Sequence, residues 1–340
     1  MYSSVVGGEI LIIGDLHFSD VYTGKHKAYL ENCCWVLGQI TKKIEEVKPS
    51  AIVLLGDIIG WTETNIKDRQ VLAMFMKVIK EWNEYGTVYA VRGNHDIKGY
   101  PDFLLLNDLG LIVTSDSCDG FFDYFASDDA ETPEVRFHIV DYKSETKSLN
   151  LCMDEGCSNI VLGHNNYTIT GFTNWYAAHD GIELGLLQNY IGVDMVISGH
   201  IHNPSPEIYS AQMSDSKDCM LFYPGCPSRP IKEQNMYDSC WFVRVGYNPS
   251  TKETDINTDE FKLKPAKEIF YEDEDFVDEK SEEEINEELR KEKLMEQLGD
   301  IIKYRINGGD PIQQIENIPT GSREAKDIAI KYLQTAYNGG

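Results

Sequence analysis

Basic residues are scarce in this chain: 31 Lys and Arg stand against 56 Asp and Glu, a net charge of −25 at pH 7 over 340 residues. That balance has the wrong sign for a broad cationic face that grips nucleic acid, and it disfavours docking on anionic membrane. It leaves room for phosphate chemistry, because bound cations reverse the sign of charge locally. The eight cysteines form no Cys-x-x-Cys pair, so neither a zinc ribbon nor a thioredoxin-like redox motif is indicated. No apolar run is long enough to cross a bilayer. The start of the chain has a strand-length apolar run without the basic stretch of a secretory leader. The cysteines are therefore expected to be reduced thiols in the cytoplasm.

What is present is an ordinary apolar fraction of 42%, enough for a sizeable core. Strand and helix signals alternate from Glu9. Glu9–Ile13, Ala51–Leu55 and Thr87–Val91 are apolar runs, and Tyr29–Glu46 and Gln70–Tyr85 carry apolar residues at helical spacing. Further strand-like runs follow at Gly120–Phe125, Val135–Tyr142, Asn159–Leu162, Val193–Ile197, Met220–Tyr223 and Cys240–Val245. This order predicts an α/β layered fold with a sheet-on-sheet core flanked by helices. Between Glu268 and Glu288 the composition shifts to twelve acids and one lysine, nearly half of the net charge of −25. Such a block reads as a solvated linker. The expected organisation is a catalytic domain over 1–260, an acidic linker over 261–284 and a helical segment over 285–340. That last segment has candidate helices at Ile285–Ile302 and Ser322–Tyr337.

The chemistry-bearing residues follow the apolar runs: Asp15-x-His17, Asp57, Asn94-His95-Asp96, His164 and His200-x-His202. The ends of strands in an α/β sheet are where functional loops gather. Singly these motifs are weak. A strand-end Asp is ordinarily a turn or cap residue, and a solitary His such as His26, His138 or His179 is ordinarily surface or core filler. Five in order with sensible gaps point to one site. Carboxylates and imidazoles together suit Mn²⁺, Fe or Zn²⁺ better than Ca²⁺ or Mg²⁺. A shared carboxylate such as Asp57 can join two cations, which activate water and stabilise phosphoryl charge. His95 stands beside a ligand and can donate a proton to a leaving oxygen. Asp96 can orient that ring or cap the loop.

These motifs resemble the calcineurin-like metallophosphoesterase superfamily over roughly Glu9–Val245. The resemblance implies a central β-sandwich with helices on both sides. It implies that Asp15, His17, Asp57 and His202 hold one metal and that Asp57, Asn94, His164 and His200 hold the other. Its catalytic histidine is His95. Mn²⁺ is the expected ion, with Fe, Zn²⁺ or Mg²⁺ as alternatives. Phosphoprotein phosphatases carry Gly-Asp-x-x-Asp-Arg-Gly. Here Gly60-Trp61 stands where that Asp-Arg would be, which counts against a protein phosphatase.

The segment Tyr223-Pro-Gly-Cys-Pro-Ser-Arg-Pro230 resembles the Pro-Gly-Ser-Pro-x-Arg stretch of SbcD-type nucleases. That likeness implies a DNA nuclease subunit, a 3′-to-5′ exonuclease and single-strand endonuclease. Its expected partners are DNA, an SbcC-like coiled-coil ATPase and a second copy of itself. Its setting would be the host cytoplasm if phage-encoded. The alternative is a stand-alone phosphodiesterase or phosphatase acting on a small molecule such as a cyclic nucleotide. A catalytically silent scaffold is a third reading, opposed by the complete ligand set. The chain departs from the family at Asn165-Asn166 after His164, and its last eighty residues are short for a nuclease capping domain.

Overall fold

The computed structural model describes residues 3–20, 26–60, 66–98, 100–142, 151–168, 182–183, 193–205, 209–213, 217–228, 239–248, 250–251, 253–263 and 326. The chain divides into two compact units, Met1–Asp273 and Glu274–Gly340. Of the second unit, only Lys326 is among the described residues, and it is helical. The acidic block and the two candidate C-terminal helices otherwise lie outside the described residues.

The first unit opens with β1 (Ser4–Val6), β2 (Ile10–Ile13), α1 (His26–Val47), β3 (Ala51–Leu54), α2 (Arg69–Trp82) and β4 (Thr87–Ala90). Two helices follow, α3 (Asn94–Lys98) and α4 (Tyr100–Asp108), then β5 (Val113–Thr114), β6 (Phe121–Phe125), β7 (Val135–Val140) and β8 (Ser158–Gly163). The rest is strand: β9 (Tyr167–Thr168), β10 (Ile182–Glu183), β11 (Met195–Ser198), β12 (Tyr209–Met213), β13 (Lys217–Phe222), β14 (Ser239–Asn248) and β15 (Glu253–Lys262).

Two mixed sheets result. One has the order β15-β14-β2-β3-β4-β5 and the other β1-β6-β7-β8-β11-β13-β12. β2, β3, β4 and β5 run parallel, as do β7, β8, β11 and β13. β2 and β3 are buried at all four positions, as a parallel strand covered on both faces must be. Their side chains alternate between two cores. Leu11, Ile13, Ile52, Leu54, Val88 and Ala90 join the residues of α1, α2 and α4. Ile10, Ile12, Ala51, Val53 and Tyr89 face the other sheet through Phe122, Phe137, Ile160, Leu162 and Ile197. A third cluster, with Val161, Val196, Tyr167 and Leu221, buries the far face of the seven-stranded sheet. This is the expected sandwich, with α1, α2 and α4 packed on the six-stranded side.

Helix boundaries have local causes. Asp68 caps α2 by accepting from the Gln70 amide at 2.8 Å. The helix ends at Trp82, three residues before the expected end. Its C-cap, Asn83, donates to the Leu111 carbonyl at 2.7 Å and accepts from the Val88 amide at 3.3 Å. That polar exchange starts β4 where helical periodicity alone would have continued. Trp82 donates its indole N–H to Thr41 at 2.8 Å, fixing α2 against α1.

An aromatic stack ties the two sheets together. Phe122 lies 3.9 Å from Tyr89 and 4.9 Å from Phe137, centroid to centroid, with interplanar angles of 15° and 11°. Phe122→Ala is expected to cost about 3–5 kcal/mol. The urea midpoint should fall with little change in the slope of the transition. A loss below about 1 kcal/mol would show that this stack does not couple the sheets.

Candidate metal centre

Asp15 follows β2, Asp57 follows β3 and Asn94 follows β4, while His164 follows β8 and His200 follows β11. The first three strands belong to one sheet and the last two to the other. Their carboxyl ends meet at one rim of the sandwich, which is how residues so far apart in sequence come together.

The loops after β2 and β3 are laced to each other. The His17 amide donates to the Asp57 carbonyl at 2.7 Å, Phe18 to Ile58 at 2.9 Å and Gly60 back to Phe18 at 3.0 Å. This lacing forces unusual backbone. His17, Asp57 and His200 have φ of 45°, 44° and 75°, a region that costs ordinary residues energy and that concentrates at functional sites. Glycine is needed nearby for close approach. A Cβ on Gly93 would overlap the amide and carboxylate of Asp57, and one on Gly199 would overlap the Asp15 carboxylate.

The donor atoms form two groups that share a carboxylate. Asp15, His17, Asp57 and His202 offer atoms all within 4.8 Å of one another, and so do Asp57, His164 and His200. Asn94 Oδ1 lies 3.2 Å from His164 Nε2 and 3.1 Å from His200 Nδ1, which puts it with the second group. Asp15, His17, Asp57 and His164 are almost fully buried. All seven residues expected as ligands are therefore brought together.

The tautomers can be assigned. His17 Nδ1 lies 2.9 Å from the Gly60 carbonyl oxygen, and His164 Nδ1 lies 2.6 Å from that of Leu55. A carbonyl only accepts, so both Nδ1 atoms carry a proton, and each ring when neutral presents its lone pair at Nε2. His17 Nε2 then faces His202 Nε2 at 3.0 Å and Asp57 Oδ2 at 3.6 Å. His164 Nε2 faces Asp57 Oδ2 at 3.3 Å as well as the Asn94 oxygen. Once these rings are neutral, ring nitrogens and carboxylate oxygens converge on one buried site, which is the arrangement a cation resolves, so this donor set fits two divalent ions.

Charge tells the same story. Burial pushes the Asp15 carboxyl up to about 8, with Asp57 adding to the rise against the pull of His164. Burial would raise Asp57 too, yet the His164, His17 and His95 imidazoles beside it hold it well below the usual carboxylate range. Burial pushes His17 down to about 4. Burial also opposes charge on His164, but Asp57 and Asp15 carry that ring up to about 10. The apo cluster keeps itself near neutral by shifting protons; two cations would replace those protons.

His95 is the second residue of α3 and stands beside this group. Its amide donates to Asp57 Oδ1 at 2.8 Å, its Nε2 lies 3.9 Å from Asp57 Oδ2, and its ring meets that of His17 edge-on at 5.1 Å. Asp96 turns away from chemistry and toward backbone. Its Oδ1 accepts from the Ile58 and Ile59 amides at 2.9 and 3.1 Å, and its Oδ2 accepts from the Gly93 amide at 2.8 Å. Of its two expected roles, these bonds fit the loop cap, which makes Asp96 a positioning residue. Asn165 donates its amide to Ser198 Oγ at 3.0 Å and its Nδ2 to the Asp141 carbonyl at 3.4 Å. That pins the His164 loop to β11 and gives the Asn-Asn departure a structural role.

Two residues near the centre were not singled out from sequence. Tyr142 stands with its ring 5.5 Å from His200 and 6.3 Å from His164. Cys226 Sγ lies within 4.8 Å of donor atoms of His17 and His202. Only the resemblance of the segment around Cys226 gave a signal.

Asp96→Ala removes the acceptor of three amides that shape the Asp57 loop. It is expected to lower metal affinity roughly 10–100-fold while leaving the chain folded. Metal titration by calorimetry with circular dichroism checks this, and unchanged affinity would refute the positioning role.

Two of the solved structures that are similar to this chain show the range. One is a Staphylococcus aureus protein described as a 5′-nucleotidase in complex with alpha-ketoglutarate. It has 10% identity and a TM-score of 0.40 over 80% of this chain and 59% of that one. This chain thus spans less than two thirds of that protein's length. The other is a dimetal phosphatase from Danio rerio, with 13% identity and a TM-score of 0.44 over 76% of this chain and 99% of that one. No curated protein matches. The model of the calcineurin-like phosphoesterase family matches residues 8–204, more than half of the chain, and takes in all of the rim loops that carry the metal-centre residues. The chain belongs to the calcineurin-like phosphoesterase family.

Proposed function

We propose that this chain hydrolyses a phosphoester of a small molecule at two divalent cations. Asp15, His17, Asp57 and His202 would hold one cation, and Asp57, Asn94, His164 and His200 the other. The observation that carries this reading is the pair of donor groups joined at Asp57. Cations bound there would acidify a water and offset the charge that builds on a phosphoryl oxygen. Asp57 keeps both groups in register, and Asp96 holds its loop. The His95 ring is close enough to Asp57 to be held as a proton donor, and it would deliver that proton to the leaving oxygen.

The charge of the rim favours a small substrate, such as a cyclic nucleotide. Across the described loop residues 14–20, 55–60, 91–97, 163–167, 199–205 and 223–228, the one Lys or Arg is Arg92. Its guanidinium bonds Asp116 at 2.9 Å. A polyanionic strand is gripped through many cations, whereas one phosphoester can be gripped by two metals alone.

A specific observation supports a second reading, the SbcD-like nuclease subunit. The nuclease-like segment packs at the centre: the Cys226 thiol donates to the Asp15 carbonyl at 3.2 Å, and Asn32 donates to the Ser228 carbonyl at 2.6 Å. In that reading a coiled-coil ATPase supplies the cationic DNA groove.

A Mn²⁺ assay over bis-p-nitrophenyl phosphate, p-nitrophenyl phosphate, cyclic nucleotides and oligonucleotides decides between them. Turnover of a small phosphoester is expected without any partner. His95→Ala should lower kcat roughly 10²–10⁴-fold while two metals remain bound. Cleavage of oligonucleotides alone, strengthened by a co-purifying ATPase, would replace this reading with the nuclease. Negligible turnover by metal-loaded wild type and His95→Ala alike would leave a scaffold. His200→Ala is expected to lose one of two metals and most activity yet keep its circular dichroism; global unfolding would show that the site is not preformed.

A further inference from the structure

The family's ligand pattern leaves one donor unused. Cys226 is 3% exposed, and its Sγ forms a group of donors with His17 and His202, all within 4.8 Å of one another. It stands in the Pro224-Gly225-Cys226-Pro227-Ser228 stretch, where the nuclease-like pattern has serine. The stretch is locked in place. Gly225 turns at a φ of 85°, the Cys226 amide donates to the His202 carbonyl at 3.0 Å, and the thiol reaches the Asp15 carbonyl at 3.2 Å. Two of its neighbours, His17 and His202, belong to the first donor group. A buried cysteine is ordinarily a small apolar filler. This one has its sulfur within 4.8 Å of a ring nitrogen of each of two imidazoles, on a backbone pinned to the loop of one of them.

We propose that Cys226 is a sulfur ligand of the first cation position, completing with His17 and His202 a face of two imidazoles and one thiolate. Such a face selects a thiophilic ion, Zn²⁺ or Fe²⁺, over Mn²⁺ or Mg²⁺. On binding, the thiol proton leaves to solvent, the hydrogen bond to the Asp15 carbonyl is given up, and the sulfur lone pair is donated to the ion. No oxidant or reductant is involved. The proposal rests on the two-cation reading of the site, and the test separates the two.

Co²⁺ titration of the apo chain reads sulfur directly, through the near-ultraviolet thiolate-to-cobalt charge-transfer band. Two equivalents are expected to bind, with one such band. Cys226→Ser should lose the band and weaken Co²⁺ binding at one position by at least the roughly 10–100-fold that loss of an outer-shell partner costs. His200→Ala should keep the band while losing one equivalent. X-ray absorption of the zinc-loaded wild type needs no variant. It should show a sulfur scatterer at about 2.3 Å beside nitrogen and oxygen at about 2.0–2.2 Å. Two bound equivalents with no thiolate band, a band that survives in Cys226→Ser, or a shell of nitrogen and oxygen alone would overturn the Cys226 ligand and leave the two-cation site standing. Failure to bind Co²⁺ at all would overturn both.

Discussion

Asp57 is the one side chain common to both donor groups, and much of the architecture serves to hold it. It leaves β3 through Gly56, takes a left-handed backbone, and exchanges main-chain bonds with the His17 loop. Asp96 then ties the two amides that follow it to the loop after β4. A carboxylate fixed from three sides can meet two ions without choosing between them. A mobile one would collapse onto whichever imidazole carried a proton. The strained backbone at His17, Asp57 and His200 is sustained because rigid parallel strands enter each loop from below.

The sandwich explains why the site needs two sheets. Parallel strands of one sheet deliver Asp15, Asp57 and Asn94 to the rim, and those of the other deliver His164 and His200. Carboxylates and the amide thus come from one layer and imidazoles largely from the other. The Tyr89–Phe122–Phe137 stack and the apolar residues around it keep the layers in register. Core packing and ligand geometry are one problem in this fold: a shift of one layer over the other would separate acids from histidines.

How much of this the residues announce depends on burial. β2, β3 and β11 are buried at every position and β4 at three of four, so their apolar runs mark them within two residues, and the ligands follow each run. β15 is a polar strand with Ile256 and Phe261 as its apolar anchors, so its ten-residue pairing with β14 leaves no periodic trace. The two-residue β5 and the five-residue α3 are too short for a period. The end of α2 was misjudged because the stop lies in a side-chain exchange at Asn83. Among site residues, the Asp and His motifs carried themselves. Asp96 carried two possible roles, and the amides of Ile58, Ile59 and Gly93 decide for the cap. Tyr142 and Cys226 reach the centre only through tertiary contact, and nothing in their local spacing marks them.

The protonation of the centre connects fold to chemistry. Four nearly buried groups, Asp15, His17, Asp57 and His164, sit where water cannot solvate charge. Two carboxylates there resist being ionised together, as the raised Asp15 shows, while His164 is driven to carry the compensating proton. The Nδ1–carbonyl bonds of His17 and His164 leave Nε2 as the nitrogen that faces the cluster, and on His164 that nitrogen carries the compensating proton. What remains is an electrostatic cavity shaped for positive charge, with proton shifts as the substitute when cations are absent. Selection among cations then falls to the softer donors at the rim, which is where a thiol between two histidines would matter.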